Sequence, residues 1–264
     1  MNTKHYTKRL IVGAIAVLSV SAFATIALAS HAWGSYHWAR TANPFVLKLG
    51  DNVLSVWDTH LATTSAMWSA SSVLDTTVVA GQSNVKNCRA TNGRVEVCNK
   101  TYGNNGWLGI ASVWASGNHI YQGTVKLNDT YFNTAKYNTP AWRQFVMCQE
   151  VGHTFGLDHQ DEIFTNANLG TCMDYTNDPS TNQYPNLHDF TQLETIYAHL
   201  DTITTLFSRT SSSAGASRVS DDIDTENRAE WGKEIRKSRD GRTTLHERNL
   251  GNGQKVFTFV VWAD

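Results

Sequence analysis

The chain has 264 residues, and its 22 lysines and arginines against 23 aspartates and glutamates give a formal net charge of −1. A near-neutral chain without a Lys/Arg-rich stripe lacks the positive field that holds a phosphate backbone, which argues against nucleic acid as a partner. Hydrophobic residues make up 41% of the sequence and charged residues only 17%, a balance that favours folded domains over disorder.

Residues 1–29 are typical of an export signal. Lys4, Lys8 and Arg9 precede an apolar run over residues 10–28, and the triplet Ala-Leu-Ala at residues 27–29 predicts cleavage after Ala29. Left uncut, this run is long enough to span a bilayer, so a signal-anchored form is the alternative. Either form places the folded part outside the cytoplasm. After cleavage we expect a secreted monomer without membrane contact.

Four cysteines in an exported chain favour disulfides over free thiols. Cys88 with Cys98 would close a small loop, and Cys148 with Cys172 would join two distant segments. Four unpaired buried thiols are the alternative. None of the four has the C-x-x-C spacing of a zinc or redox motif.

Strand and helix patterns alternate after the signal. Strands are predicted over residues 45–49, 76–80, 94–98, 108–114 and 123–128, and a helix after the first of them carries the apolar residues Val56, Trp57, Leu61 and Trp68. This order predicts an α+β fold of α/β type, in which helices pack on a mixed, mostly parallel five-stranded sheet.

Two further helices have clear starts. Thr139 is a good N-cap before Pro140, and that helix should run into Gly156. A later helix should begin near Asn186, with Asp189 as an acidic partner in its first turn. Its predicted buried face is Phe190, Leu193, Ile196, Tyr197 and Leu200.

The sequence predicts three parts: the signal at residues 1–29, a folded domain at 30–207, and an appendix at 208–264. The appendix begins as a Ser/Thr/Gly/Ala-rich linker, becomes densely charged, and ends in an apolar run over residues 256–262. A hairpin around residues 251–253 that docks elsewhere on the protein would explain this pattern.

The segment from Gln149 to His159 carries the chemistry. Gln149 and His153 are four residues apart on a helix and face the same way, with Glu150 beside them. Gly156 permits a backbone reversal that would bring His159 back as a third ligand. Three ligands leave a fourth position open for water, as a catalytic zinc site requires.

This segment resembles the zinc-binding signature of the metzincin metalloproteases, H-E-x-x-H-x-x-G-x-x-H, at every fixed position except the first. The stretch Cys172-Met173-Asp174-Tyr175 is similar to the Met-turn of that clan. The order of elements from residue 45 to 200 is similar to a small matrixin-type catalytic domain. The resemblance implies the metzincin fold, with a twisted sheet and an antiparallel edge strand.

The resemblance also implies an activity and a role for each residue. Gln149, His153 and His159 would bind one catalytic Zn²⁺, and Glu150 would act as the general base of an endopeptidase. Met173 would form an apolar floor beneath the ligands, and Tyr175 would bind the resting metal or stabilise the oxyanion. The strand at residues 108–115 would be the edge strand that binds a protein or peptide substrate.

Gln149 departs from the signature, because the clan places an imidazole at that position. An amide oxygen is a harder donor than the nitrogen or sulfur that zinc prefers, so we expect weaker metal binding rather than none. Cys148 and His188 are alternative ligands in its place. Two other functions stay open: a catalytically inactive metzincin fold that acts as a binding or cell-surface module, and a structural metal-binding protein.

Two features near this segment invite further expectations. Asp161, Glu162, Asp174 and Asp178 make the loop before Pro179 acidic, so a Ca²⁺ site is conceivable there, although regular ligand spacing is missing. The short stretch between residue 29 and the first strand contains no cysteine, which argues against latency through a cysteine-bearing pro-segment. Whether the charged tail folds back over the cleft is an open hypothesis.

Overall fold

The computed structural model describes residues 30–84, 87–206 and 223–264. The predicted signal segment and most of the predicted linker lie outside these ranges. The described residues form a mixed α+β structure. Its elements are β1 (His37–Trp38), β2 (Phe45–Asn52), α1 (Ser55–Trp68), β3 (Leu74–Ala80), β4 (Arg94–Lys100), β5 (Trp107–Ser116), β6 (His119–Asn128), α2 (Asp129–Phe132), α3 (Pro140–His153), α4 (Leu187–Ile196), β7 (Lys233–Lys237), β8 (Thr243–Gly251) and β9 (Gln254–Trp262).

These strands form a single sheet in the order β3-β2-β4-β6-β5-β9-β8-β7, with the two-residue β1 beside β6. Strands β3, β2, β4 and β6 are parallel, and β5 is antiparallel to β6. This part confirms the predicted mixed, mostly parallel five-stranded arrangement. The predicted strand count is too low for the whole molecule, because β1 and three strands of the appendix extend the same sheet.

The prediction that residues 108–115 form an edge strand is wrong. Strand β5 pairs with β6 on one side and with β9 on the other, from Trp107 opposite Trp262 to Ser116 opposite Gln254. The predicted hairpin is present: β8 and β9 join through Asn252 and Gly253, both at positive φ, as a tight two-residue turn requires. The appendix therefore lies against the part that was predicted to be a separate domain.

Helix α3 begins as predicted. The Thr139 hydroxyl accepts a hydrogen bond from the Trp142 backbone N–H at 3.2 Å, and Pro140 occupies the first turn. The helix ends at His153, earlier than Gly156. Gly156 has φ +100°, and a Cβ there would lie 2.5 Å from the Tyr36 carbonyl oxygen, so the reversal needs glycine.

Two tryptophans from the N-terminal segment hold the end of α3. Trp33 Nε1 donates to the His153 carbonyl at 2.9 Å, and Trp38 Nε1 donates to the Thr154 carbonyl at 2.8 Å. These bonds satisfy backbone acceptors that a helix C-terminus leaves without intrahelical partners. The histidine end of α3 is therefore fixed from outside the helix.

Helix α4 also begins where the sequence predicts, with a capping box between Asn186 and Asp189. The prediction that Leu200 is buried is wrong, because the helix ends at Ile196 and Leu200 is 56% exposed. Phe190 and Ile196 are only partly buried, while Leu193 and Tyr197 are fully buried. The helix therefore buries a narrower face than its apolar spacing predicts.

Both predicted disulfides are present, Cys88–Cys98 and Cys148–Cys172, and the described residues contain no free cysteine. Disulfides persist in oxidising compartments, so this pattern is typical of an exported protein. Within the described ranges, no helix has the length and apolar character needed to cross a membrane. The Cys148–Cys172 bond joins α3 to the segment that carries Met173.

Candidate metal centre

Helix α3 buries three of the predicted site residues: Gln149, Glu150 and His153 are at most 1% exposed. After the reversal at Gly156, His159 returns to the helix end. The rings of His153 and His159 have centroids 4.5 Å apart and planes at 78°. The structure thus brings together the two imidazoles that the sequence predicts as ligands.

The nitrogens of both rings suit a metal ion. His153 Nδ1 lies 2.9 Å from the Leu157 carbonyl, to which it would donate, and this tautomer leaves the Nε2 lone pair unused. His153 Nε2 and His159 Nε2 are buried without a hydrogen-bond partner, while His159 Nδ1 lies 3.4 Å from Asp158 Oδ1. Burial lowers the pKa of both histidines, which favours the neutral form that binds metal.

Gln149 is tied to the Met-turn segment. Its Nε2 donates to the Cys172 carbonyl at 2.9 Å, so the amide nitrogen is occupied and the amide oxygen is the atom that can bind a cation. Coordination by Gln149 stays a prediction. Cys148, considered as a substitute, is excluded because its sulfur is in a disulfide with Cys172.

Glu150 points toward strand β5. A Cβ built on Gly109 would lie 2.6 Å from Glu150 Oε1, so glycine at that position makes room for the carboxyl group. The carboxyl group is fully buried, and neither oxygen makes a hydrogen bond of normal geometry, although the Ala111 backbone N–H is close enough to lower its pKa in part. Burial raises the pKa of Glu150 well above its usual range. An uncompensated buried carboxylate is costly, so this group calls for a proton or a nearby cation.

Met173 packs directly under α3. Its side chain is fully buried, and a Cβ on Gly152 would lie 2.6 Å from its sulfur and 2.9 Å from Trp68. Met173 therefore lies beside the helix turn that ends in His153, and its role as a floor beneath a metal ion stays a prediction. Gly152 is required here because a larger residue would collide with that floor.

Tyr175 lies against His159 with ring centroids 4.2 Å apart, and it stacks on Phe164. Its hydroxyl is hydrogen-bonded to the Thr243 hydroxyl on β8. Burial raises the pKa of Tyr175 well above its usual range. Tyr175 is therefore adjacent to the centre, but its hydroxyl is occupied by the hairpin.

The C-terminal strands cover the centre, which agrees with the open hypothesis that the charged tail folds back over the cleft. Phe259 of β9 stacks on the His153 ring, with centroids 4.2 Å apart and planes within 10°. Arg236 of β7 binds the Asp158 carboxylate and lies 3.4 Å from Glu162. What remains is a small cavity lined by His159, Tyr175, Arg236, Lys237, Ser238, Thr243, Thr244, Leu245 and Phe259.

The acidic loop gives the calcium expectation no support. Asp158, His159 and Glu162 have ligand atoms within 4.8 Å of one another, but Arg236 already pairs with both carboxylates, the ligands on which Ca²⁺ depends. Burial alone would raise the pKa of Asp158, but hydrogen bonds from His159 and Arg236 lower it.

The other acidic side chains brace the loop itself. Asp174 Oδ2 accepts from the Leu169 N–H at 2.8 Å and from Asn182 at 2.9 Å, and Asp178 caps a short 3-10 turn at Ser180. His188, the other substitute considered for Gln149, stacks on His31 with ring centroids 4.6 Å apart. Its contacts are those of a residue at a helix start.

No protein-family model matches the chain, and no curated protein matches it significantly. The resemblance to metzincins therefore depends on the residues described above. The two buried imidazoles, each with an Nε2 that has no hydrogen-bond partner, fit a divalent cation that prefers nitrogen ligands.

Proposed function

We propose that this protein is an exported zinc-dependent endopeptidase of the metzincin type, held in a closed state by its own C-terminal hairpin. The observation that carries the proposal is the meeting of His153 and His159, whose Nε2 atoms are buried without a hydrogen-bond partner, at the end of the helix that also buries Glu150. A bound Zn²⁺ would supply a Lewis acid and lower the pKa of water toward neutrality.

The chain's own residues would supply the proton chemistry and the positioning. Glu150, with its raised pKa, suits a group that takes a proton from water and passes it to the leaving amine. The Leu157 carbonyl holds the His153 ring in the ligand tautomer. The hydrogen bond from Gln149 to the Cys172 carbonyl fixes the side chain that replaces the usual imidazole.

The hairpin would act as an internal substitute for substrate. Peptides commonly bind proteases by adding an antiparallel strand to an open sheet edge, and β9 occupies that position along the whole of β5. Phe259 lies on His153, and Thr243 engages the Tyr175 hydroxyl. Hydrolysis therefore requires the hairpin to leave the cleft.

The test is to insert a recognition sequence for a specific protease between residues 209 and 220 of the full chain. Hydrolysis of a peptide library is then compared before and after nicking, with Zn²⁺ present. We expect the intact chain to be inactive and the nicked chain to cleave peptides. The activity should be lost with chelator and with Glu150→Gln.

If the nicked hairpin stays bound, two substitutions that weaken its contacts with the centre keep the experiment decisive. Phe259→Ser removes the ring that covers His153, and Arg236→Ala removes the ion pair to Asp158. Both substitutions should raise the activity of the nicked chain. A folded, Zn²⁺-loaded, nicked Phe259→Ser chain with no more activity than its Glu150→Gln counterpart would refute the proposal.

That refuting result would favour an inactive metzincin fold that serves as a binding module. One observation favours this second candidate: β5 and β9 pair from end to end, and nine of the ten β5 residues are buried. In that case the hairpin would be a permanent part of the sheet, and its release would only destabilise the fold.

A further inference from the structure

A second group of histidines lies near residue 201, built from elements that the centre at His153 does not use. His37 belongs to β1, His119 begins β6, and His199 and Asp201 follow α4. Their polar atoms converge: His37 Nε2 to His199 Nε2 is 3.1 Å, His37 Nε2 to Asp201 Oδ1 is 3.5 Å, and His199 Nε2 to Asp201 Oδ1 is 3.7 Å.

Neighbouring groups orient two of these side chains. His37 Nδ1 lies 2.9 Å from the Ser35 carbonyl, an acceptor, so Nδ1 carries a proton and Nε2 is the ring nitrogen that faces the group. Asp201 Oδ2 accepts from Arg40 Nη1 at 2.8 Å and from the Arg40 backbone N–H at 3.2 Å. Asp201 Oδ1 is thereby directed toward the imidazoles.

His37 Nε2 and Asp201 Oδ1 face each other at 3.5 Å, a separation that either a shared proton or a shared cation bridges. Zn²⁺ binds nitrogen and carboxylate oxygen at about 2.0–2.2 Å in tetrahedral geometry, which puts neighbouring ligand atoms about 3.3–3.5 Å apart. The three measured separations, 3.1, 3.5 and 3.7 Å, bracket that spacing.

We propose that His37, His199 and Asp201 form a second site for a divalent transition-metal ion of the zinc class, with His119 bonded to the carboxylate. His119 Nε2 lies 3.2 Å from Asp201 Oδ1, so it orients the ligand oxygen. The Arg40 guanidinium offsets the aspartate charge, which leaves the two imidazole nitrogens as the main source of affinity. An ion here would fasten the segment after α4 to β1 and β6.

The test measures Zn²⁺ and Co²⁺ binding to the full chain after chelator treatment and dialysis. A His153→Ala/His159→Ala variant removes the first centre and should still bind one ion, with the visible Co²⁺ absorption of a nitrogen-rich site. Adding His199→Ala should weaken Zn²⁺ binding at least tenfold. His199 is 54% exposed, so this substitution leaves the core intact. The matched control is His60→Ala on the same background, because His60 is bonded to Gln144 away from this group.

The site fails if the folded His153→Ala/His159→Ala chain takes up no Zn²⁺. It fails equally if His199→Ala leaves the affinity unchanged, or if His60→Ala weakens it to the same extent. These readouts do not depend on peptide hydrolysis, so they distinguish this site from the proposed function.

Discussion

The two disulfides allow a controlled test of what holds the candidate centre together. Cys148–Cys172 spans a sequence separation of 24 and joins α3 to the Met-turn segment, whereas Cys88–Cys98 spans 10 and leads from a loop to β4. All four cysteines are buried. Replacing either pair by alanine therefore removes similar packing, and the two double variants differ in loop length and in distance from the centre.

The expected losses of stability follow from chain entropy. Opening the longer loop should lower the free energy of unfolding by about 3.5 kcal/mol, and opening the shorter loop by about 2.8 kcal/mol. Both losses are large against the roughly 5–15 kcal/mol that holds a typical domain together, so denaturant titration at 25 °C resolves them.

The two variants should differ more in metal binding than in stability. In the Cys148/Cys172 variant, the residue next to Gln149 loses its covalent bond to position 172. The backbone carbonyl at position 172 accepts the hydrogen bond from the Gln149 amide, so that bond is no longer fixed. Measured in a His199→Ala background, we expect at least tenfold weaker Zn²⁺ binding for this variant and no change for the Cys88/Cys98 variant. Equal effects of the two variants on metal affinity in the folded state would refute the positioning role.

Three further predictions test other parts of the structure. Gly152→Ala gains about 1 kcal/mol of helix propensity but places a methyl group 2.6 Å from the Met173 sulfur. We therefore expect the free energy of unfolding to fall by up to about 2 kcal/mol in unfolding experiments. The control is Gly123→Ala, which should cost nothing because the nearest neighbours of the added methyl group lie at 3.5 Å. Gln149→His supplies a nitrogen donor and should tighten Zn²⁺ binding at least tenfold in competition with a chelator; unchanged affinity would show that position 149 does not bind the ion. Burial lowers the pKa of Lys126, so the folded state binds the Lys126 proton less tightly than the unfolded state does. The free energy of unfolding of the wild type, relative to that of Lys126→Met, should therefore rise as the pH increases toward 10.5. A difference between the two proteins that is independent of pH would contradict this.

Local features of the fold were predictable because their causes are local. Thr139 with Pro140, and Asn186 with Asp189, satisfy helix N-termini through their own side chains, so sequence spacing alone locates those starts. The turn at Asn252 and Gly253 is equally local. The contact between His153 and His159 was predictable for the same reason, since only five residues, one of them Gly156, lie between them.

The position of the hairpin was not predictable, because strand pairing between distant segments leaves little trace in either segment. The apolar run in β9 indicates a strand but does not identify β5 as its partner. Arg236 likewise gave no sign of binding Asp158. The group around Asp201 was missed because its histidines are spread over residues 37 to 199 and follow no motif spacing.

The edge strand β7 affects how the protein would behave in solution once its C-terminal strands are displaced. This strand has five residues, four of them charged, and its pairing with β8 is irregular. These features protect the edge of the sheet against pairing with a strand of another molecule. Displacing β7, β8 and β9 together would make β5 the edge strand, and its ten residues are largely apolar. Purified open chains should therefore aggregate at high concentration, and an added extended peptide should keep them dispersed.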